Sequence, residues 1–267
     1  MTKLVAASDV TSTASESRIG FATEGGGHWP EWDRFITLDG KKAYHIGNIC
    51  GTCEFVFERM EGANGKLSPK ELSSQLRVGL NGFSDNISNR VAAALPTGNY
   101  KALLLSCIPR LVIPSKQGDY FFGEQIALWG VDGFWGVPHY TKTEYYRTGV
   151  LRMSNGRGLF EFVVPMFPSN YLHPDAISTY RTVLSEGGDP TALAISILDV
   201  KQPADWHGEP EFTVHWCLSH YLLDGHHKIF AAQELGKHIS ILSFLAVDKG
   251  VSSNEQIEET IQLLAAK

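Results

Sequence analysis

Long hydrophobic runs are missing from this 267-residue chain. The longest, Ile239–Val247, falls well short of the roughly 18 residues of a membrane-crossing helix and fits a buried strand instead. No membrane partner is therefore expected. The first 18 residues, MTKLVAASDVTSTASESR, lack the roughly 7–15-residue apolar centre of a secretory signal. Rich in Ser and Thr, residues 1–18 are expected to form a disordered tail. Cysteine is scarce: Cys50, Cys53, Cys107 and Cys217 are too few and too uneven for a secreted disulfide scaffold. Their number points to reduced thiols in a soluble, cytoplasmic protein. Charge is scarce too, at 19% against roughly 25% in ordinary globular chains. With a formal net charge of -6, the chain advertises no basic face, which argues against nucleic acid as a partner. Internal repeats are absent, and no feature sets an oligomeric state.

What the chain does contain is apolar and aromatic. Apolar residues make up 43%, enough for a sizeable core, and aromatics 11%. With 26 glycines and 12 prolines, much irregular structure is expected rather than a helical bundle. FATEGGGHWPEW (21–32) reads as a loop, and RFITLDGKKAYHIG as two strands around an Asp39-Gly40 turn. Residues 67–95 carry helical patterning, with Ser68 as N-cap, Pro69 at the first position and Glu71 at the third. YKALLLSCIPRLVIP is a buried strand stopped by Pro109 or Pro114. From Leu159 strands alternate with helices, the pattern of an α/β arrangement. Pro174 opens one helix, Gly187-Gly188 closes it, and Ser253 or Asn254 caps an amphipathic C-terminal helix.

The strongest chemical signal is YLLDGHHKIFAAQELG (221–236). An apolar strand runs out at Asp224-Gly225, and a helix begins at once with His226, His227 and Lys228. Glycine permits a sharp turn and a close ligand. The unpaired amides and positive dipole of a helix N-terminus suit an anion. Two imidazoles and an ammonium add donors, while Asp224 can accept a proton or hold a cation. An ordinary strand–turn–helix with exposed polar residues is the alternative.

This turn resembles the signature turn of the ParB/sulfiredoxin superfamily, and DGHH is most similar to that of free serine kinases. The upstream stretch VVPMFPSNYLHPDAISTYRTVLSEGGDPTALAISILDV resembles the family's opening strand, helix, glycine and second strand. The likeness spans about residues 159–247. It implies that Gly225, His226, His227 and Lys228 hold a nucleotide's phosphates, with Asp224 and the two histidines catalytic and Mg²⁺ accompanying the nucleotide. His226 stands where sulfiredoxins carry a catalytic cysteine, which argues against sulfiredoxin chemistry. Only about twenty residues follow Val247, too few for the segments of chromosome-partitioning relatives.

Four further groups invite chemistry. HIGNICGTC places His45, Cys50 and Cys53 at a spacing that suits zinc, with a fourth ligand from His28, His139, Cys107 or Cys217. Redox use of the C-x-x-C pair and a plain tight turn compete with zinc. Glu161, an acid between Phe160 and Phe162, would have a raised pKa if buried and could be a general base; an exposed edge strand is its alternative. His215 and His220, five apart on one strand, should point to opposite faces and share no metal. The aromatic stretch Gly118–Tyr146 could line a substrate pocket through Trp129, Trp135 and His139, or simply form core.

The expected architecture is α+β. A β-rich N-terminal part (19–152) packs on a ParB/sulfiredoxin-like α/β domain (153–250), and a C-terminal helix (251–267) follows. The expected function is an enzyme acting on a nucleotide or phosphorylated small molecule by phosphoryl transfer. The rival is a non-enzymatic ligand-sensing or interaction protein stabilised by zinc at the C-x-x-C turn. An acid poised against the phosphate turn would favour the enzyme. In the shared-site arrangement, the aromatic stretch and the DGHHK turn face one interdomain cleft.

Overall fold

The computed structural model describes residues 2–14, 17–64, 76, 80, 91, 94–131, 140–205 and 208–266. The chain is α+β, with two sheets and helices on one face of the larger. That sheet has eight strands in the order β1-β6-β12-β10-β11-β9-β8-β7. They are β1 (Lys3–Ser12), β6 (Gly98–Cys107), β7 (Arg110–Val112), β8 (Tyr145–Arg152), β9 (Arg157–Val164), β10 (Thr191–Lys201), β11 (Val214–Asp224) and β12 (Ile239–Ala246). The smaller sheet runs β2-β3-β4-β5: Ile19–Gly26, Trp29–Leu38, Lys41–Asn48 and Glu58–Arg59. The described helices are α1 (Glu124–Trp129), α2 (Pro174–Ser185), α3 (His226–Leu235) and α4 (Asn254–Ala265).

The large sheet curls. β7 lies at one end of the strand order and β6 next to the other, yet only Ile108 and Pro109 separate them in the chain. The β7 end therefore returns beside β6. A hydrogen bond from Thr2 Oγ1, just before β1, to Thr148 Oγ1 on β8 crosses the same seam at 2.9 Å.

Alternation sorts the strands' side chains onto two faces. Odd positions of β10 and β11 (Ile195, Ile197, Cys217, Tyr221) face the small sheet, where Tyr44 and Tyr221 lie 5.0 Å apart between ring centres. Even positions (Ala192, Ala194, Leu218, Leu222) face Ile177 of α2, Ile229 of α3 and Ile257 of α4. A buried ion pair ties the layers together. Arg34 of β3 holds Asp199 of β10 through Nη1–Oδ1 at 3.0 Å and Nη2–Oδ2 at 2.6 Å. Its guanidinium also donates to the carbonyls of Ile46 and Lys249, and the Val251 amide donates to Asp199.

From residue 157 to 246 the elements run strand, helix, two antiparallel strands, helix, strand. β9 lies parallel to β11, and β10 parallel to β12, so each helix crosses between strands that are not sheet neighbours. These strands do not stand apart as a domain starting at 153, because β1, β6, β7 and β8 complete their sheet and β8 pairs directly with β9.

Two expectations need correction. Residues 3–12 are no tail: β1 pairs antiparallel with β6 from Lys3 to Ser12, and its residues alternate between exposed and half-buried. An apolar run of four residues, Leu4–Ala7, suffices once the partner strand satisfies the backbone. The FATEGGGHWPEW segment is no loop either. It forms β2 and the start of β3, turning at Gly27 with φ 61°. The Asp39-Gly40 hairpin forms as expected, with both residues at positive φ (52° and 74°). Ser68, Pro69 and Glu71 lie outside the described residues; Leu76 and Val91 of that stretch are buried.

Candidate functional site

At the end of β11 the chain turns on Gly225, whose φ of 95° is left-handed. A Cβ there would also lie 2.7 Å from the Ala192 Cβ and 2.8 Å from its Cα. Both conformation and space demand glycine. Helix α3 starts at His226 and runs ten residues, its first intrahelical bond joining the Ile229 amide to the Gly225 carbonyl at 2.9 Å. The amides before Ile229 have no intrahelical acceptor.

The turn opens into a cleft of about 780 Å³. Asp224 to Lys228 line one side; Met166, Phe167, Pro168, Tyr171, His173 and Tyr180 line another; Arg59, Ala63 and Asn64 close it from the small-sheet side. Arg59 is held in place by the Met166 carbonyl, to which its Nε donates, and by Asn64, which accepts from Nη2.

The three basic residues of the turn have different fates. His226 is buried, stacked on Phe167 at 4.3 Å, and accepts the Met166 N–H on Nε2 at 2.9 Å. Burial pushes its pKa down to about 4, so the ring is neutral with its proton on Nδ1. It is a strut. His227 is half-buried, accepts the His173 N–H at 3.1 Å, and lies with its ring 6.0 Å from that of His173. Burial, then repulsion from His173, lowers its pKa. Lys228 corrects the sequence expectation. Its Nζ turns inward, 2.8 Å from the Thr191 carbonyl and 3.0 Å from Asp224 Oδ2, with only 3% of the side chain exposed. Four residues on in a helix brings a side chain back over the preceding turn, and here that places the ammonium on Asp224. Burial lowers its pKa despite the carboxylate. It lines the cleft, but its ammonium is spent on Asp224 and the Thr191 carbonyl.

Glu161 does not line the cleft. It points to the helix-covered face, 2% exposed, and accepts the Thr148 hydroxyl at 2.8 Å. Burial raises its pKa, while hydrogen bonds from Thr2 and Thr148 hold against that rise. It is buried, as one alternative required, but it is no base for this site.

The shared-site arrangement fails for Trp129. That indole donates to the Thr52 carbonyl at 3.1 Å and packs 5.4 Å from His215. His215 is the second residue of β11 and Asp224 the last. Nine steps of roughly 3.3 Å separate them, about 30 Å. Trp135 and His139 lie outside the described residues. Elsewhere in the aromatic stretch Tyr120, Phe121 and Tyr145 pack with Phe55, Phe57 and Phe162, which is core. His215 and His220 do face opposite ways: His215 meets Tyr120 at 2.8 Å, and His220 meets Ser196 at 2.7 Å on the helix side.

Neither expected metal finds its ligands. Cys50 and Cys53 are joined as a disulfide, and His45 Nε2 sits 3.0 Å from Asp33. A disulfide leaves no thiolate for zinc. Among the described residues no three His, Cys, Asp or Glu side chains converge on one point. For magnesium, Asp224 is the one carboxylate among the described residues lining the cleft, and its Oδ2 is held by Lys228. The described residues do not fit a protein-built magnesium site.

Sequence reasoning missed Arg59, Asn64, Tyr171 and Tyr180. Nothing in FERMEGAN marks Arg59, which the small sheet brings to a turn more than 160 residues away. No family model, no curated protein and no solved structure matches the chain. Among the described residues no helix is long and apolar enough to cross a membrane.

Proposed function

We propose that the cleft at the DGHH turn binds a phosphorylated small molecule, with nucleotides the leading class. The observation that carries this reading is the opening of helix α3 at Gly225 into a cleft that Arg59 also lines. The phosphate would sit on the first amides of α3, where dipole and free N–H groups act together. Arg59 would supply the fixed cation and His227 a donor. Phe167, Tyr171 and Tyr180 offer apolar surface to a base or ribose. The resemblance of DGHH to free serine kinases supports the same ligand class. Binding is the step the geometry favours. Phosphoryl transfer asks for a free acid or base against the turn, and Asp224 is neutralised by Lys228. His227 is the remaining candidate.

Isothermal titration of the full chain with ATP, ADP, AMP and inorganic phosphate tests this. We expect at least one nucleotide to bind, equally with and without magnesium. His227→Ala and Arg59→Gln should each weaken it about tenfold or more, the usual loss of a charge-assisted hydrogen bond. Their circular dichroism should be unchanged. No binding by any of the four would overturn the proposal. Phosphorus NMR showing ADP or phosphate released would extend it to catalysis through His227.

A further inference from the structure

The Cys50–Cys53 loop lies at the other end of the molecule's chemistry and owes nothing to the cleft. A disulfide stabilises mainly by closing a loop in the unfolded chain, and the effect shrinks with loop length. Here the cysteines are three residues apart, so this bond closes almost nothing.

The loop is instead held by contacts that do not involve the S–S bond. Lys201, fully buried on β10, donates from Nζ to the Cys50 carbonyl at 2.5 Å, with Asn48 O and Oδ1 at 3.4 Å. The Gln202 amide donates to Gly51 O at 3.0 Å, and the Trp129 indole to Thr52 O at 3.1 Å. Opening the disulfide would leave this frame standing.

The two sulfurs are also unequal. Cys50 Sγ accepts the Cys53 N–H at 3.0 Å and has Thr52 Oγ1 at 3.3 Å. A disulfide sulfur has no hydrogen, so the hydroxyl is the donor. Among the described residues no donor is found on Cys53 Sγ. Groups that donate to a sulfur, with an ammonium one peptide away, stabilise it as a thiolate, and the thiolate is both nucleophile and leaving group. Both cysteines are half-buried and Thr52 is exposed, so the pair is within reach of solvent.

We propose that Cys50 and Cys53 form a thiol–disulfide exchange site, with Cys50 as the exchanging sulfur and low-molecular-weight thiols and disulfides of the glutathione type as its substrates. In the reduced protein, Cys50 thiolate attacks a disulfide R–S–S–R, forming Cys50–S–S–R and releasing one R–S⁻. Cys53 thiolate then attacks Cys50 Sγ, closing the protein disulfide and releasing the second R–S⁻. Two electrons leave the protein, one small disulfide becomes two thiols, and the two cysteine protons end on those thiols. With excess thiol the same steps run backwards.

Native-state alkylation of the reduced full chain reads this out, because Cys107 and Cys217 are fully buried with thiols pushed to high pKa. A short iodoacetamide pulse followed by peptide mapping should find Cys50 modified about tenfold faster than Cys53. Thr52→Val should slow Cys50 severalfold. With oxidised glutathione, Cys53→Ser should acquire one glutathione on Cys50, while Cys50→Ser stays unmodified over the same time. Equal alkylation of the two cysteines overturns the proposal. So does a wild-type disulfide that millimolar dithiothreitol opens only as the circular dichroism is lost. If the serine variants fail to fold, the alkylation of wild type decides alone.

Discussion

Three histidines are held neutral by burial. His215 is pushed down to about 3, and His220 and His226 to about 4. In the unfolded chain each would take a proton near 6.5. The unfolded state therefore binds more protons than the folded one below pH 6.5, and stability drains away as the pH falls from there toward 4. Each pH unit costs about 1.4 kcal/mol per histidine within that window. Glu161 works in the opposite direction: its raised pKa favours folding at low pH, and the gain is lost as the pH rises past the ordinary carboxylate range. Three histidines outweigh one carboxyl. Thermal melts at constant ionic strength should be flat above pH 7 and fall steadily between pH 6.5 and 4.5. An unchanged melting temperature over that window would mean that these rings are not buried neutral.

Elements were the most legible level in the sequence. Pro174, Gly187-Gly188, Asp39-Gly40, Gly225 and Ser253 each mark a boundary where the structure has one, because each acts on the backbone within a few residues. Ser253 even completes a capping box with Gln256. The two misreadings have different causes. β1 owes its strand character to a partner 86 to 103 residues away, and no local pattern reports so distant a partner. β2 instead pairs with β3 across the Gly27 turn, only 3 to 19 residues on, where the run of glycines masked a hairpin. The turn itself was legible, but its division of labour was not. Lys228 follows two histidines in sequence, and only the helix geometry turns it back onto Asp224. Gly225 supplies a test at this level. Gly225→Ala would put a methyl into the Ala192 backbone and hold alanine at φ 95°. The clash and the strain each cost about 1–3 kcal/mol. Urea denaturation should show a loss of several kcal/mol; a loss under about 1 kcal/mol would mean the turn relaxes freely.

On the scale of the whole molecule, one ion pair among the described residues, Arg34–Asp199, joins the two sheets. Asp199 is 1% exposed and Arg34 6%, and the pair also fastens the segment after β12 through Lys249 and Val251. Asp199→Ala would strand a buried guanidinium. Removing one partner of such a pair costs about 3–5 kcal/mol. Equilibrium unfolding should register that loss, and Arg34→Met together with Asp199→Leu should recover much of it. A double variant no better than Asp199→Ala would show that the hydrogen bonds to the Ile46 and Lys249 carbonyls matter more than the charges.

The strand order has a consequence for how the chain is born. β1 and β6 emerge early from the ribosome and can pair with each other, but the neighbour that joins them to the rest of the large sheet is β12, residues 239–246. Until those last strand residues leave the exit tunnel, β6 presents a bare edge and Leu103 and Leu105 have no helix face to meet. Synthesis at ≈ 5–20 residues per second stretches that interval over many seconds, during which the nascent chain is a template for pairing with its neighbours. The sheet is completed only when β12 arrives, so the emergence of residues 239–246 rather than any local helix sets when this protein becomes safe from aggregation.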